Sequence, residues 1–196
     1  GLTITTATAI VGTQSIPLTA QIDDTDLALL SPKALSGSIT LELAWQGPLP
    51  EAPVGVYRVQ DGGRWYVFTQ FEPLEARRAF PSFDEPRFKT PYTTTIEVPK
   101  GYTPFSNDPE VSATPAADGW MRHAFAPTKP LPTYLVAFAI GDFDVVEGGM
   151  VSGGRVPFRI ITPKGKGHLA GFALDRGPRY LAMQEEWFGS PYPFAK

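Results

Sequence analysis

Cysteine is absent from all 196 residues. That excludes a disulfide framework and any thiolate zinc site. Histidine is nearly absent too: His123 and His168 are the only two, and they sit in unrelated surroundings. A helical zinc peptidase site needs histidines at i and i+4 on one helix and a carboxylate beyond them. The chain is therefore expected to bind no metal by itself. It also has no block of lysine or arginine, and its formal net charge is -3. Nucleic acid and anionic membrane surfaces are thus not expected partners, and acidic substrates are not favoured. No apolar run approaches the roughly 20 residues that a membrane-spanning helix needs. Gly1-Leu2-Thr3-Ile4-Thr5 already alternates like a strand, without the basic-then-apolar pattern of a signal peptide. The sequence assigns no compartment.

Turn-forming residues are abundant instead. The chain holds 21 prolines and 19 glycines, against an ordinary proline share of roughly 5%. Short strands joined by many turns follow from this. Leu2-Ile4, Ile39-Leu41-Leu43-Trp45, Tyr92-Thr94-Ile96-Val98 and Val156-Phe158-Ile160 alternate with period two, as half-buried strands do. Tyr66-Val67-Phe68 and Tyr134 to Ile140 are continuously apolar, which suits strands covered on both faces. Turn signals fall at Asp23-Asp24, Asp61-Gly62-Gly63, Pro99-Lys100-Gly101, Asp118-Gly119 and Gly148-Gly149. The expected fold is mainly β, an antiparallel β-sandwich or saddle.

The pattern changes once, at Lys164-Gly165-Lys166-Gly167. This reads as a flexible linker, and a helix follows from about Leu169 to Phe188, with Tyr180, Met183 and Trp187 on one face. Pro178 predicts a kink, or a regular helix that begins near Asp175. The boundary near Lys164 divides a β domain over 1–163 from a linker and first helix over 164–196. The glycines at 165, 167 and 171 fit neither G-x-G-x-x-G nor the P-loop. Asp23, Asp24 and Asp26 read as a hairpin turn rather than a calcium loop.

Four segments carry a family resemblance. They are Gly55-Val56-Tyr57-Arg58; Thr69-Gln70-Phe71-Glu72-Pro73 continued by Ala76-Arg77-Arg78-Ala79-Phe80-Pro81-Ser82-Phe83-Asp84-Glu85-Pro86; Leu131-Pro132-Thr133-Tyr134-Leu135 with Gly141-Asp142-Phe143; and Glu186-Trp187-Phe188-Gly189-Ser190-Pro191-Tyr192-Pro193. In this order they resemble the aminopeptidase N family of zinc metallopeptidases. Ser82 departs from the cysteine that many members carry there, with no catalytic consequence. The family's GAMEN-type loop and HExxH motif do not occur in the sequence.

The resemblance implies an amino-terminal β domain, without its first strands, followed by the first helix of an α-helical, thermolysin-like domain. It implies a parent enzyme that removes amino-terminal residues from peptides with zinc-activated water, the zinc site lying beyond the chain end and this fragment inactive alone. Peptides with a free amino terminus and the missing catalytic domain are the expected partners. Gln70 and Glu72 match the family's positions that hold the substrate α-amine. The chemistry suits them: an ammonium has three donors and no acceptor, so a carboxylate and an amide oxygen satisfy it. Read without the resemblance, they are exposed polar ends of a strand. Arg77, Arg78, Asp84 and Glu85 are expected to pair across a compact loop, with Arg77 and Asp84 supporting the site rather than touching substrate. Two other readings stand beside this one: a family homologue without peptidase motif that serves as an interaction scaffold, and a free-standing β-sandwich binding module. The helical tail, which has no evident partner in the chain, speaks against the second.

Overall fold

The computed structural model describes residues 1–196. Fourteen strands precede one long helix. In chain order the strands are β1 (Thr3–Val11), β2 (Gln14–Pro17), β3 (Thr19–Asp23), β4 (Asp26–Leu30), β5 (Thr40–Gln46), β6 (Gly55–Asp61) and β7 (Arg64–Gln70), followed by β8 (Thr95–Pro99), β9 (Thr103–Ser106), β10 (Glu110–Pro115), β11 (Trp120–Phe125), β12 (Phe138–Gly141), β13 (Phe143–Val151) and β14 (Val156–Pro163). The helix α1 spans Gly171–Phe188. All strand pairings are antiparallel, in sheets ordered β2-β1-β5, β10-β11-β8, β6-β7-β12-β9, β13-β14 and β3-β4. The mainly β expectation holds, and so does the single carboxy-terminal helix.

Turn chemistry explains the hairpins. Gly62 (φ 54°) and Gly63 (φ 75°) occupy the left-handed region between β6 and β7, which admits a two-residue turn matched to strand twist. Asp24, also left-handed, closes the β3–β4 hairpin, so Asp23, Asp24 and Asp26 do form a turn. Gly148-Gly149, expected as a turn, lies inside β13. There the register against β14 shifts between Glu147 and Met150, as in a bulge, and the real turn follows at Ser152, Gly153 and Gly154, all with positive φ. The apolar run from Tyr134 to Ile140 is likewise not one strand. Thr133–Leu135 forms a short 3₁₀ turn after Pro132, and only Phe138–Gly141 pairs in the sheet.

The helix also departs from expectation. It starts at Gly171 and runs through Pro178 to a left-handed Gly189, which caps it by donating to the carbonyls of Glu185 and Glu186. The face with Tyr180, Met183 and Trp187 is exposed, Trp187 at 84%. The adjoining face packs, because Gly177 lets Phe158 of β14 come so close that an added Cβ would lie 2.5 Å from its ring. Lys164 to Gly167 is not an open linker. The amides of Gly165 and Gly167 donate to Asp144 Oδ2 at 2.8 and 3.2 Å, Lys164 N–H donates to the Tyr66 hydroxyl, and Lys166 Nζ reaches Asp61 at 2.7 Å. The tail finds a partner as well. Phe194 packs on a core cluster of Phe71, Ala76, Leu131 and Val136, and Lys129 Nζ donates to the Pro193 carbonyl.

Candidate functional site

β7 delivers the candidate residues to the end of its sheet. Its last residue, Gln70, stands opposite Gly55, the first of β6. Gly55 has φ +71°, a conformation that favours glycine, and an added Cβ would press on Arg78 Cβ at 3.2 Å. Thr69 clips β7 to β12: its hydroxyl donates to the Phe138 carbonyl and accepts the Phe138 N–H at 3.1 Å. Phe71 then turns inward at 1% exposure, edge-on to Phe80 and Phe138. Burying such a ring contributes about 1.5 to 3 kcal/mol, and each edge-to-face pair roughly 0.5 to 1.5 more. Gln70 and Glu72, on either side, are both exposed.

The chain after Phe71 folds back into a tight turn. Glu75 N–H donates to the Phe71 carbonyl at 2.8 Å, and Ala76–Arg78 forms a 3₁₀ turn whose Ala76 is fully buried. Asp84 pins this turn. Its Oδ2 accepts the Arg77 N–H at 3.0 Å and the Arg77 Nε–H at 3.1 Å, and its Oδ1 accepts the Thr133 hydroxyl. Asp84 is buried at 4% exposure, so three donors compensate a carboxylate taken out of water. The same negative charge adds to the main effect of burial in pushing the Tyr92 hydroxyl above its ordinary pKa. Of the four charges expected to pair across the loop, Arg77 and Asp84 do. Arg78 pairs with Glu75 instead, and Glu85 with Arg87 at 3.7 Å, because both side chains point outward to nearer partners.

Sequence reasoning did not find the role of Thr133, although the segment that holds it was conspicuous. Trp45 was missed as well: from β5 its indole donates to the Ala79 carbonyl at 2.8 Å, tying the turn to a second sheet. A cleft of about 480 Å³ borders the turn at Leu74, Glu75, Arg77, Arg78 and Pro81, with Leu2, Ile22 and Leu27 opposite.

The histidines stay apart. His123 lies on β11 with Nδ1 3.1 Å from Glu110 Oε2, and His168 lies just before α1 with Nδ1 3.1 Å from the Gly165 carbonyl. No group of three or more histidine, aspartate or glutamate side chains is placed to hold a metal. The residues present do not fit a zinc site. No helix is long and apolar enough to cross a membrane.

Comparison with known proteins identifies the domain. The Peptidase M1 N-terminal domain model matches residues 2–135. Aminopeptidase M1-B of Oryza sativa subsp. japonica is 36% identical over 165 residues, 82% of this chain and 18% of its own length. Endoplasmic reticulum aminopeptidase 1 of Homo sapiens is 36% identical over 177 residues, 87% of this chain and 19% of its own. Aminopeptidase N of Acetobacter pasteurianus is 32% identical over 167 residues, 82% of this chain and 46% of its own. The chain thus spans between about a fifth and a half of the length of these relatives. With its β domain matched over residues 2–135 and relatives that are aminopeptidases, the chain belongs to the M1, or aminopeptidase N, family through the N-terminal domain of that family.

Proposed function

We propose that the chain is part of a zinc aminopeptidase that removes amino-terminal residues from peptides, and that Gln70 and Glu72 hold the free α-amine of the substrate. One observation carries the reading: both side chains are exposed on either side of a buried Phe71, next to a turn whose Arg77 is bonded to the buried Asp84. A carboxylate and an amide on such a rigid platform can accept hydrogen bonds from an ammonium without first paying the entropy of ordering a loop. Anchoring the amine fixes which peptide bond reaches the reaction centre, and exopeptidase selectivity follows from that geometry. The zinc site of this enzyme belongs to the parent protein outside the 196 residues, since the two histidines here do not meet.

Residues 1–163 are the β domain in this reading, and 164–196 enter the catalytic domain. The exposed stripe of Phe172, Tyr180, Met183 and Trp187 on α1 supports that division, because such a face is stable when another helix covers it.

The test is Glu72→Ala in the full-length protein. Losing one charge-assisted contact to a partly desolvated ammonium costs about 2 to 4 kcal/mol, which is about 30-fold to 1,000-fold in kcat/KM for free-amine peptides. Zinc content should not change. A folded Glu72→Ala enzyme of wild-type efficiency on such peptides would return Glu72 to an ordinary exposed residue at a strand end.

A further inference from the structure

Thr133 lies in a segment with no assigned role, the 3₁₀ turn Thr133–Leu135 between β11 and β12. It is polar and almost wholly buried, at 2% exposure. Its hydroxyl is spent on one partner, Asp84 Oδ1, some fifty residues earlier in the chain. The other oxygen of that carboxylate holds the backbone N–H and the guanidinium of Arg77. Arg77 sits in the turn that begins at Glu72, and Ala76 beside it packs against Phe71 and Leu131.

We infer that Thr133 is a positioning residue for the amine anchor: through Asp84 it fixes the orientation of the Ala76–Arg78 turn and so the place where Glu72 is held. This rests on the proposed role of Glu72. The physical basis is directional. A β-branched side chain has few accessible χ1 states, so the hydroxyl of a buried threonine points in one direction and sets the rotation of the carboxylate it donates to. With Oδ1 fixed, Oδ2 is presented to the Arg77 N–H, and the turn after Phe71 has one arrangement. Without that hydroxyl, Asp84 keeps its charge and its Arg77 contacts but can rotate, and the turn loosens at the residue that anchors substrate.

The experiment is a double-mutant cycle in the full-length enzyme with Thr133→Val, Thr133→Ser, Glu72→Ala and the Thr133→Val, Glu72→Ala double variant, read as KM and kcat on a free-amine aminoacyl reporter. Thr133→Val should raise KM about tenfold with kcat within about twofold, the signature of lost uniform binding. Thr133→Ser, which keeps the hydroxyl, should stay near wild type. In the Glu72→Ala background Thr133→Val should add less than about a twofold change, because there is no anchor left to position. If Thr133→Val does not fold, Thr133→Ala, which removes the hydroxyl without setting a methyl against the carboxylate, takes its place and should show the same KM increase and the same loss of effect. A KM effect of equal size in both backgrounds, or a wild-type KM for folded Thr133→Val, overturns this inference alone. A wild-type kcat/KM for folded Glu72→Ala overturns the amine-anchor reading, and this inference falls with it.

Discussion

Asp84→Ala is the sharpest test of how the turn is held. The side chain of Asp84 is 1% exposed, and three donors from two segments converge on it. The substitution orphans them to different degrees. Breaking a buried ion pair by removing one partner costs roughly 3 to 5 kcal/mol, but the Arg77 side chain is 31% exposed. The guanidinium can turn to water, so the ionic share must be discounted. The Thr133 hydroxyl has no such escape at 2% exposure, and an unsatisfied buried group costs about 1 to 3 kcal/mol. Together these place the loss near 3 kcal/mol, a large fraction of the roughly 5 to 15 kcal/mol that holds a domain folded. At about 2 to 4 °C per kcal/mol for a chain of this size, the melting temperature should fall by about 6 to 12 °C. Urea and thermal melts of the 196-residue chain measure it, with Glu85→Ala as control. Glu85 is exposed and reaches Arg87 only at 3.7 Å, so its loss should stay within about 0.5 kcal/mol. A drop for Asp84→Ala below about 1 kcal/mol, or no larger than the control, would refute the account of the turn.

Two further expectations concern the end of the chain. Asp144 cups the amides of Gly165 and Gly167, so Asp144→Ala should speed tryptic cleavage after Lys164 and Lys166 over cleavage elsewhere, and an unchanged digestion pattern would show that the loop does not depend on that carboxylate. Glu185 is held below its ordinary pKa of 4.5, first by the Ser152 hydroxyl, then by the Tyr192 N–H and the nearby Arg155 charge. A carboxyl depressed in the folded state contributes stability that is present above its unfolded pKa and lost as pH falls through the folded one. Glu185→Gln should therefore melt below wild type at about pH 6, the gap should narrow progressively as pH falls below the ordinary carboxyl pKa of 4.5, and parallel curves would count against the contact.

The architecture was legible where chemistry is local. Alternation located β1, β5, β8 and β14, and Asp-Gly-Gly and Asp-Asp gave hairpins, because turn conformation depends on a few adjacent residues. What failed depended on contacts distant in sequence. Gly148-Gly149 is a bulge rather than a turn only because β14 sets the register there. Lys164 to Gly167 has a flexible composition, yet Tyr66, Asp61 and Asp144 fill its hydrogen bonds. The helical periodicity located a true apolar stripe but not the packed face, which Gly177 selects by making room for Phe158. The Arg77–Asp84 pair was visible in the same contiguous segment as the candidates Gln70 and Glu72. Thr133 and Trp45 were not, since nothing in their own neighbourhood says that they reach Asp84 and Ala79.

The arrangement separates what stabilises the domain from what the surface can do. Phe71, Ala76, Leu131 and Val136 form one cluster, and it receives Val56 from β6, Phe138 from β12 and Phe194 from the tail. A truncation there leaves a cavity that several elements share, costing about 3 to 5 kcal/mol for a phenylalanine. Its effect would spread to the tail as readily as to the turn. Gln70 and Glu72 are the immediate neighbours of Phe71, yet they contribute nothing to that cluster and lie exposed. Substitutions at the two exposed positions are thus expected to change stability by no more than about 0.5 kcal/mol. A kinetic change at either can then be read as a lost contact with substrate rather than as partial unfolding. The buried residue between them guarantees this, because Phe71 fixes the backbone from which both side chains project, whatever those side chains are.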